Sequence, residues 1–480
     1  MSNTFTWASL QPALPEIYLT AAICVLLMAD VFFGQRRRGL APRLTLLLLA
    51  GGAAVTALYG NVDARILLFA DSYVSDPLAI LLKLFAFMTM AVALLYSREY
   101  LERRGMMRGE YYVLGLTALL GVFVLISANS LLTVYIGVEI LALSLYAMIA
   151  FDRESGIAAE SAMKYFVLGA IASGMLLYGM SLIYGLNGTL NLDDLATKAS
   201  GDPSLGVILG LVFIVVGVAF KFGAVPFHMW LPDVYTGAPT GVTLFLSTVP
   251  HAAYFALAFR LLAHGMGAVG EAWQDMLAPL AVLSMVFGNV IAIAQSSLKR
   301  MLAYSAIGNV GFILLGFVAG TAEGYQAALY YTVAYVIMTL GSFGVLTLAT
   351  RAGFEAEDLD QFKGLYKRDP LLALVMLCLM FSTAGVPPFI GFWAKLNIFQ
   401  ALWLSGHYWL IVIGAAMSVV GVFYYLRVVK LMYFDPPGEL PQGASSGAGV
   451  RAVLALNGAA VLVLGIVPNA LIQLCVRVIG

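Results

Sequence analysis

FKFGAVPFHMWLPDVYTGAPT, residues 220–240, closes an apolar run, Leu205–Ala219, that is long enough to enter a membrane. It sets Lys221, His228 and Asp233 among Pro226, Pro232, Pro239, Gly223 and Gly237. Proline removes a helical hydrogen bond, and a lysine at such an interrupted end is costly in hydrocarbon unless it has a use. The pattern returns in altered form at Gly385-Val386-Pro387-Pro388-Phe389, with Trp393 and Lys395 following. Two broken helices in corresponding places, each with a lysine, imply a repeat-built membrane protein with an ion path near mid-membrane depth.

Composition agrees. The chain of 480 residues is 61% hydrophobic and 11% charged, whereas a soluble domain carries roughly 25% charged residues. Apolar runs of about 20 residues, the length that spans a bilayer, recur from Ile17 almost to the last residue. They do not alternate as barrel strands do. The expected fold is therefore an all-α polytopic membrane protein. Zero formal net charge argues against a nucleic-acid partner. Cys24, Cys378 and Cys475 stand far apart in apolar runs, which gives no ligand spacing for a metal or cluster. No dinucleotide or phosphate-loop glycine pattern appears, so no cofactor is expected in this chain. MSNTFTWASLQPALPE lacks the basic start of a cleaved signal.

About fourteen spans are expected: 17–33, 43–60, 78–97, 111–127, 130–150, 156–185, 205–224, 240–263, 273–295, 301–320, 327–349, 371–404 (broken), 408–433 and 450–475. One set of connections holds Arg36, Arg37, Arg38 and Arg43; Arg98, Arg103, Arg104 and Arg108; Arg153; Lys299 and Arg300; Arg351, Lys363, Lys367 and Arg368; and Arg427, Lys430 and Arg451. The other side has Arg65, Lys198, Arg260 and Arg477. By the positive-inside rule both termini lie outside the cytoplasm.

Internal likeness divides the chain. GAVPF matches GVPPF, and Asn129-Ser130-Leu131-Leu132 matches Ser296-Ser297-Leu298-Lys299, each opening the second helix of its unit. Residues 1–110 hold spans one to three; 111–263 and 273–433 form two five-span repeats, each with a broken helix; 434–480 hold the last span. Five is odd, so the second repeat is inverted.

Lys83, Lys164, Lys221 and Lys395 fall inside spans, as does Glu139. Ionisable groups at such depth default to function. Glu139 lies roughly 16 Å and Lys164 roughly 12 Å from the same end of adjacent helices, within reach of a pair. Burial and attraction push such a pair's protonation in opposite senses, so a neighbouring charge can switch it. Lys221 and Lys395 stand beside the two breaks, whose freed backbone groups need water or protein partners. His228 and His251 titrate near neutral pH unless perturbed and suit proton transfer between those lysines. Lys83 is near enough to its helix end to snorkel; His264 and His407 read as solvated.

Y-x-G-x-E (Tyr135–Glu139), K-F-G-x-x-P-F-H-x-W-x-P-D-x-Y-x-G-A-P-T (Lys221–Thr240), L-K-R-x-L-A-Y-S (Leu298–Ser305) and G-V-P-P-F-x-G-F-W-A-K (Gly385–Lys395) resemble the antiporter-like subunits of respiratory complex I and the related Mrp antiporters. The likeness covers about residues 70–435. Lys395 stands where another member type carries a glutamate, and no room follows the fourteenth span for the long lateral helix of a third type. The resemblance implies that Glu139, Lys164, Lys221 and Lys395 form a hydrophilic axis that moves protons in a bacterial inner membrane. It implies neighbours among the complex's other membrane subunits, with NADH, flavin, iron–sulfur clusters and quinone handled by partner subunits. His251 stands where the family commonly has a lysine. A cation/proton antiporter of the Mrp type is the alternative, since the same broken helices serve that exchange.

Overall fold

The computed structural model describes residues 10–34, 39–60, 64–198, 204–350, 355–437 and 447–480. Arg36, Arg37, Arg38 and Arg351, used above for orientation, lie outside the described residues. Thirteen of the described helices are long and apolar enough to cross a membrane, and the broken pair Pro370–Ala384 and Ile390–Leu404 makes a further span. The molecule is the expected all-α polytopic membrane bundle.

Helices α1 (Leu14–Phe33) and α2 (Leu40–Tyr59) come first. A short antiparallel hairpin, β1 (Ile66–Leu68) and β2 (Tyr73–Ser75), then leads into α3 (Pro77–Arg103). Pro77 sits where its missing N–H costs nothing, and the Asp76 side chain accepts from Ala79 N at 2.8 Å. The first five-span set is α4 (Gly109–Ile126), α5 (Leu131–Ile149), α6 (Gly156–Asn187), a broken span and a last span. A short helix outside the spans, α7 (Leu192–Lys198), follows α6. The broken span is α8 (Leu205–Phe222) and α9 (Trp230–Gly237). The last is α10 (Thr240–Leu246) and α11 (Pro250–Ala258), running into a π-helical turn at Phe259–Gly265.

The second set repeats that order. It comprises α12 (Gly270–Ile293), α13 (Leu298–Val318), α14 (Ala322–Ala349), the broken span α15 (Pro370–Ala384) and α16 (Ile390–Leu404), and α17 (Tyr408–Tyr433). The chain closes with α18 (Ala448–Ile466) and α19 (Asn469–Ile479).

Each set carries a matching pair of backbone bridges. Leu131 N donates to Leu190 O (2.9 Å) and Leu192 N to Asn129 O (3.0 Å); Leu298 N donates to Glu357 O (2.6 Å) and Leu359 N to Ser296 O (2.9 Å). In each set the residue opening the second helix pairs with the strand-like segment after the third. With five spans between them, the two bridges lie at opposite ends of the bundle: one beside the β-hairpin, one at the far end.

Burial places the core. The helical windows in Thr240–Gly265, Leu298–Val318 and Ala322–Ala349 are 94–100% buried, against 17% for Gln11–Phe33. The elements α10, α11, α13 and α14 are therefore the centre, and α1 a flank. Three local expectations change. Span eight is broken at Ser247–Val249, because Pro250 cannot donate to the preceding turn and the hydroxyls of Ser247 and Thr248 bond back to Leu244 O. The last span is two helices hinged at Val467-Pro468. The hairpin had no sequence signal beyond its brevity.

Candidate functional site

At the first break the helix ends at Gly223, whose φ of +73° suits glycine. Ala224 N donates to Ala219 O (2.8 Å), and the Trp230 indole donates to Phe220 O (3.0 Å). With those carbonyls satisfied, the buried Lys221 ammonium is not used up on the backbone. It lies over the Phe220 ring (5.9 Å). It also faces a narrow gap, too tight to hold a water molecule, shared with Tyr165, Tyr254 and Leu141. The Glu139 carboxylate acts on it electrostatically from beyond ion-pair distance. One Glu139 oxygen is buried with no hydrogen-bond partner among the described residues.

The second break is built differently. Gly385 has φ +90°, and the Lys395 ammonium donates to Ala384 O (2.9 Å) while lying 5.2 Å over the Phe312 ring. Ser382 Oγ receives Gly391 N (3.1 Å), and Trp393 Nε1 donates to Gly465 O (2.8 Å) on α18. Here the lysine satisfies a freed carbonyl, though a single bond leaves two of its three donors for other groups.

Between the two breaks the core is lined with tyrosines. His251, 4% exposed and with Nδ1 unpartnered among the described residues, packs its ring on Tyr335 (4.9 Å) and Tyr254 (5.6 Å). One turn from Tyr335 on α14, Tyr331 stacks on Phe312 (5.8 Å) and donates to Asn309 Oδ1 (2.8 Å). Asn309 Nδ2 reaches Ser305 Oγ (3.3 Å) and Tyr425 OH (3.4 Å), which are bonded to each other at 2.5 Å. Lys221, Tyr254, His251, Tyr335 and Tyr331 thus form a row of buried aromatic and titratable side chains, with the Phe312 ring between Tyr331 and Lys395.

Two expected members lie off that row. Lys164 does not meet Glu139. Its ammonium is partly exposed and bonds Asp233 Oδ2 and Glu160 Oε1, each at 2.9 Å. The depth argument fixed height but not azimuth, and α9 brings Asp233 nearer. Asp233 also holds Arg300 at 3.0 Å, joining α6, α9 and α13. His228 sits at the outer lip of the break, between exposed Pro226 and Met229, rather than between Lys221 and His251.

Other charged residues were read too simply. Lys83 does not snorkel: it is 1% exposed, paired with Glu16 (2.6 Å) and bonded to Tyr73 OH (3.0 Å). Arg260, taken for a loop residue, is buried in the π-turn and grips Asp76 with both ends (2.6 and 2.7 Å). Lys299 is wholly buried, bonded to Ala238 O (2.7 Å) and Glu357 Oε1 (3.2 Å). His264 meets Asp193 at 2.7 Å. Only periodic partners are visible in a sequence, and none of these is one. The tyrosines of α14 were findable: Tyr331 and Tyr335 are spaced by four and so share one face of the helix.

Two clefts open at opposite ends. One of about 170 Å³, on the hairpin side, is lined by Glu323, Gln326, Tyr330, Asn397 and Gln400, with Asn397 two residues past Lys395. The other, of about 300 Å³ at the far end, is lined by Arg104, Asp152, Thr236, Pro239, Glu355 and Glu357.

A family model described as NADH:quinone oxidoreductase/Mrp antiporter, transmembrane, matches residues 128–421. The chain is 51% identical over 471 residues, 98% of its length and 97% of the relative's, to NADH-quinone oxidoreductase subunit N of Thiobacillus denitrificans. It belongs to the subunit N family of NADH-quinone oxidoreductase. The subunit N of Nitrosomonas europaea is 50% identical over 470 residues, 98% of this chain and 97% of that one. Among solved structures, a chain of respiratory complex I from Thermus thermophilus superposes with TM-score 0.83 at 33% identity, over 96% of this chain and 98% of that one. A chain of the Mrp complex from Dietzia sp. superposes at 0.84 with 22% identity, over 99% of this chain and 97% of that one, which is likeness of fold. As a subunit N protein this is an antiporter-like, proton-translocating membrane-arm subunit of the oxidoreductase, a multi-pass membrane protein of a bacterial respiratory complex.

Proposed function

We propose that protons cross the membrane through this subunit along Glu139, Lys221, His251 and Lys395, with Lys164 and His228 acting at the outer face of the first break. The observation that carries the reading is the buried polar row itself: two lysines and a histidine at helix breaks, joined by tyrosines and Asn309. Buried ionisable groups of this number are far too costly to be idle in hydrocarbon. A charge change at Glu139 would act first on Lys221. Its proton would pass through the Tyr254–His251–Tyr335 group to Lys395, two residues before Asn397 in the lining of the hairpin-side cleft.

The partly exposed His228 and Lys164 lie on a flank that lipid cannot satisfy. That supports another membrane subunit of the complex, an antiporter-like neighbour, as the cover for this flank. NADH, flavin, iron–sulfur clusters and quinone belong to partner subunits in this reading. The hairpin end, with both termini, faces the periplasm of a bacterial inner membrane. Lys221→Met and Lys395→Met should each lower NADH-driven proton pumping several-fold in membrane vesicles while the complex still assembles. Parental pumping in both variants would falsify the relay. Cation-dependent proton flux without any dehydrogenase would instead favour the Mrp-type alternative.

A further inference from the structure

Three helices wall the hairpin-side cleft. Glu323, Gln326 and Tyr330 of α14 line it, as do Asn397, Gln400 and Leu404 of α16. Each trio is spaced i, i+3, i+7 and so lies on one side of its helix. α19 closes the cleft with Ile472 and Val476. Counted from where α14 begins and α16 ends, Tyr330 lies roughly 12 Å and Asn397 roughly 10 Å inside its helix.

Polar groups at that depth need partners. Yet among the described residues the side chains of Glu323, Gln326, Asn397 and Gln400 make no hydrogen bond or ion pair. Tyr330 is 1% exposed, and its hydroxyl is likewise buried with no partner among the described residues. Buried side-chain polar atoms are as a rule hydrogen-bonded, so this lining is matched to a polar ligand. The volume, about 170 Å³, is below the roughly 300 Å³ at which pockets for whole small molecules begin. It suits a headgroup whose remainder lies outside. Outside, Leu404, Leu474 and Val476 are exposed. Trp403, Tyr408 and Trp409, also exposed, stand where α16 ends and α17 begins, and Trp403 meets Tyr408 edge-on at 4.9 Å. Exposed Trp and Tyr gather at the level of lipid headgroups. Glu323 is the one charged residue lining the cleft among the described residues, so the headgroup it favours carries a cation.

We infer that this cleft binds the headgroup of a phospholipid with a primary ammonium, phosphatidylethanolamine, from the leaflet on the hairpin side. An ammonium has three donors, for the Glu323 carboxylate and the oxygens of Gln326, Asn397, Gln400 and Tyr330. The amide N–H groups and the phenol O–H remain to donate to the phosphate. A choline headgroup has no N–H to give, and an anionic headgroup such as phosphatidylglycerol brings its phosphate to Glu323 with no cation between them. The bound lipid ties α19 to α14 and α16. Lys395 does not line the cleft, so the inference stands with or without the relay.

The test uses the assembled complex in nanodiscs of phosphatidylcholine, with a trace of phosphatidylethanolamine that carries a photoreactive diazirine in one acyl chain. Illumination should attach the probe to α16 or α19 beside the cleft, as mapped by mass spectrometry. Replacing part of the host lipid with unlabelled phosphatidylethanolamine should suppress that labelling several-fold, and the same share of phosphatidylglycerol should not. Glu323→Gln should lower it several-fold. No labelling there, equal suppression by both lipids, or parental labelling of an assembled Glu323→Gln complex overturns the site and leaves an adventitious lipid only. Suppression by free ethanolamine as strong as by the lipid overturns the lipid assignment. If Glu323→Gln fails to assemble, the competition series on the parent complex decides by itself.

Discussion

Gly385 shows how much a single side chain can matter at a break. Its φ of +90° disfavours any Cβ, and a Cβ there would stand 3.0 Å from Lys395 Cδ and 3.3 Å from Nζ. Gly406 has φ +80° but open space around it. Both alanine variants pay the left-handed penalty of about 1–2 kcal/mol. Only Gly385→Ala also displaces the lysine. Gly406→Ala should therefore cost a little thermal stability and leave pumping alone, while Gly385→Ala lowers both; vesicle assays and melting of the purified complex separate them. The Lys83–Glu16 pair gives a second comparison. Lys83→Met leaves Glu16 half of a broken buried pair, a loss of about 3–5 kcal/mol. Adding Glu16→Gln should recover part of it in the same melting measurement. The sequence marked Lys83 as intramembrane, but its partner lies 67 residues away on another helix, and no periodicity reports that.

Between elements, the ion pairs differ in what they hold. Asp193 on α7 receives hydrogen bonds from Asn129, Arg65 and His264. Burial alone would raise its carboxyl, but those bonds prevail and hold it down at about 2. A depressed folded value below the usual value of about 4 means the stabilisation is complete above pH 4 and drains away as pH falls toward 2. Asp193→Asn should therefore lower the melting temperature at pH 7, and the gap to the parent should begin to close below pH 4. Lys164–Asp233 is the contrasting case. With the Lys164 side chain 44% exposed, a double-mutant cycle with Lys164→Met and Asp233→Asn should return a coupling of only about 0.2–1 kcal/mol. The pair that depth arithmetic drew between Glu139 and Lys164 failed for a reason of the same kind. Heights along helices can be counted from residues, whereas the side each helix turns to its neighbours depends on packing. The breaks at Gly223 and Gly385 were legible because proline and glycine act locally. The break before Pro250 follows the same rule, but the run around it stays apolar and so reads as one continuous span.

For the whole molecule, the class of fold followed from composition alone, while the placing of His251 against Tyr254 and Tyr335 needed the packing of the central helices. Sidedness is the remaining molecular property with a direct test. Arg260 and Lys299, counted as loop charges, are buried and paired, and so drop out of the orientation argument. What is left is still one-sided. The far end keeps Arg43, Arg98, Arg103, Arg104, Arg108, Arg153, Arg300, Lys363, Lys367, Arg368, Arg427, Lys430 and Arg451, and the hairpin end keeps Arg65, Lys198 and Arg477. Basic residues near span ends are retained on the cytoplasmic side, so the two discarded lysine and arginine positions, one from each side, leave the outcome unchanged. Two exposed reporters stand at opposite ends, Phe69 in the hairpin and Ile157 at the far-end cleft. A membrane-impermeant thiol reagent should label Ile157→Cys in inside-out vesicles and Phe69→Cys in intact spheroplasts. The reverse pattern would turn the protein over, and with it the direction assigned to both clefts.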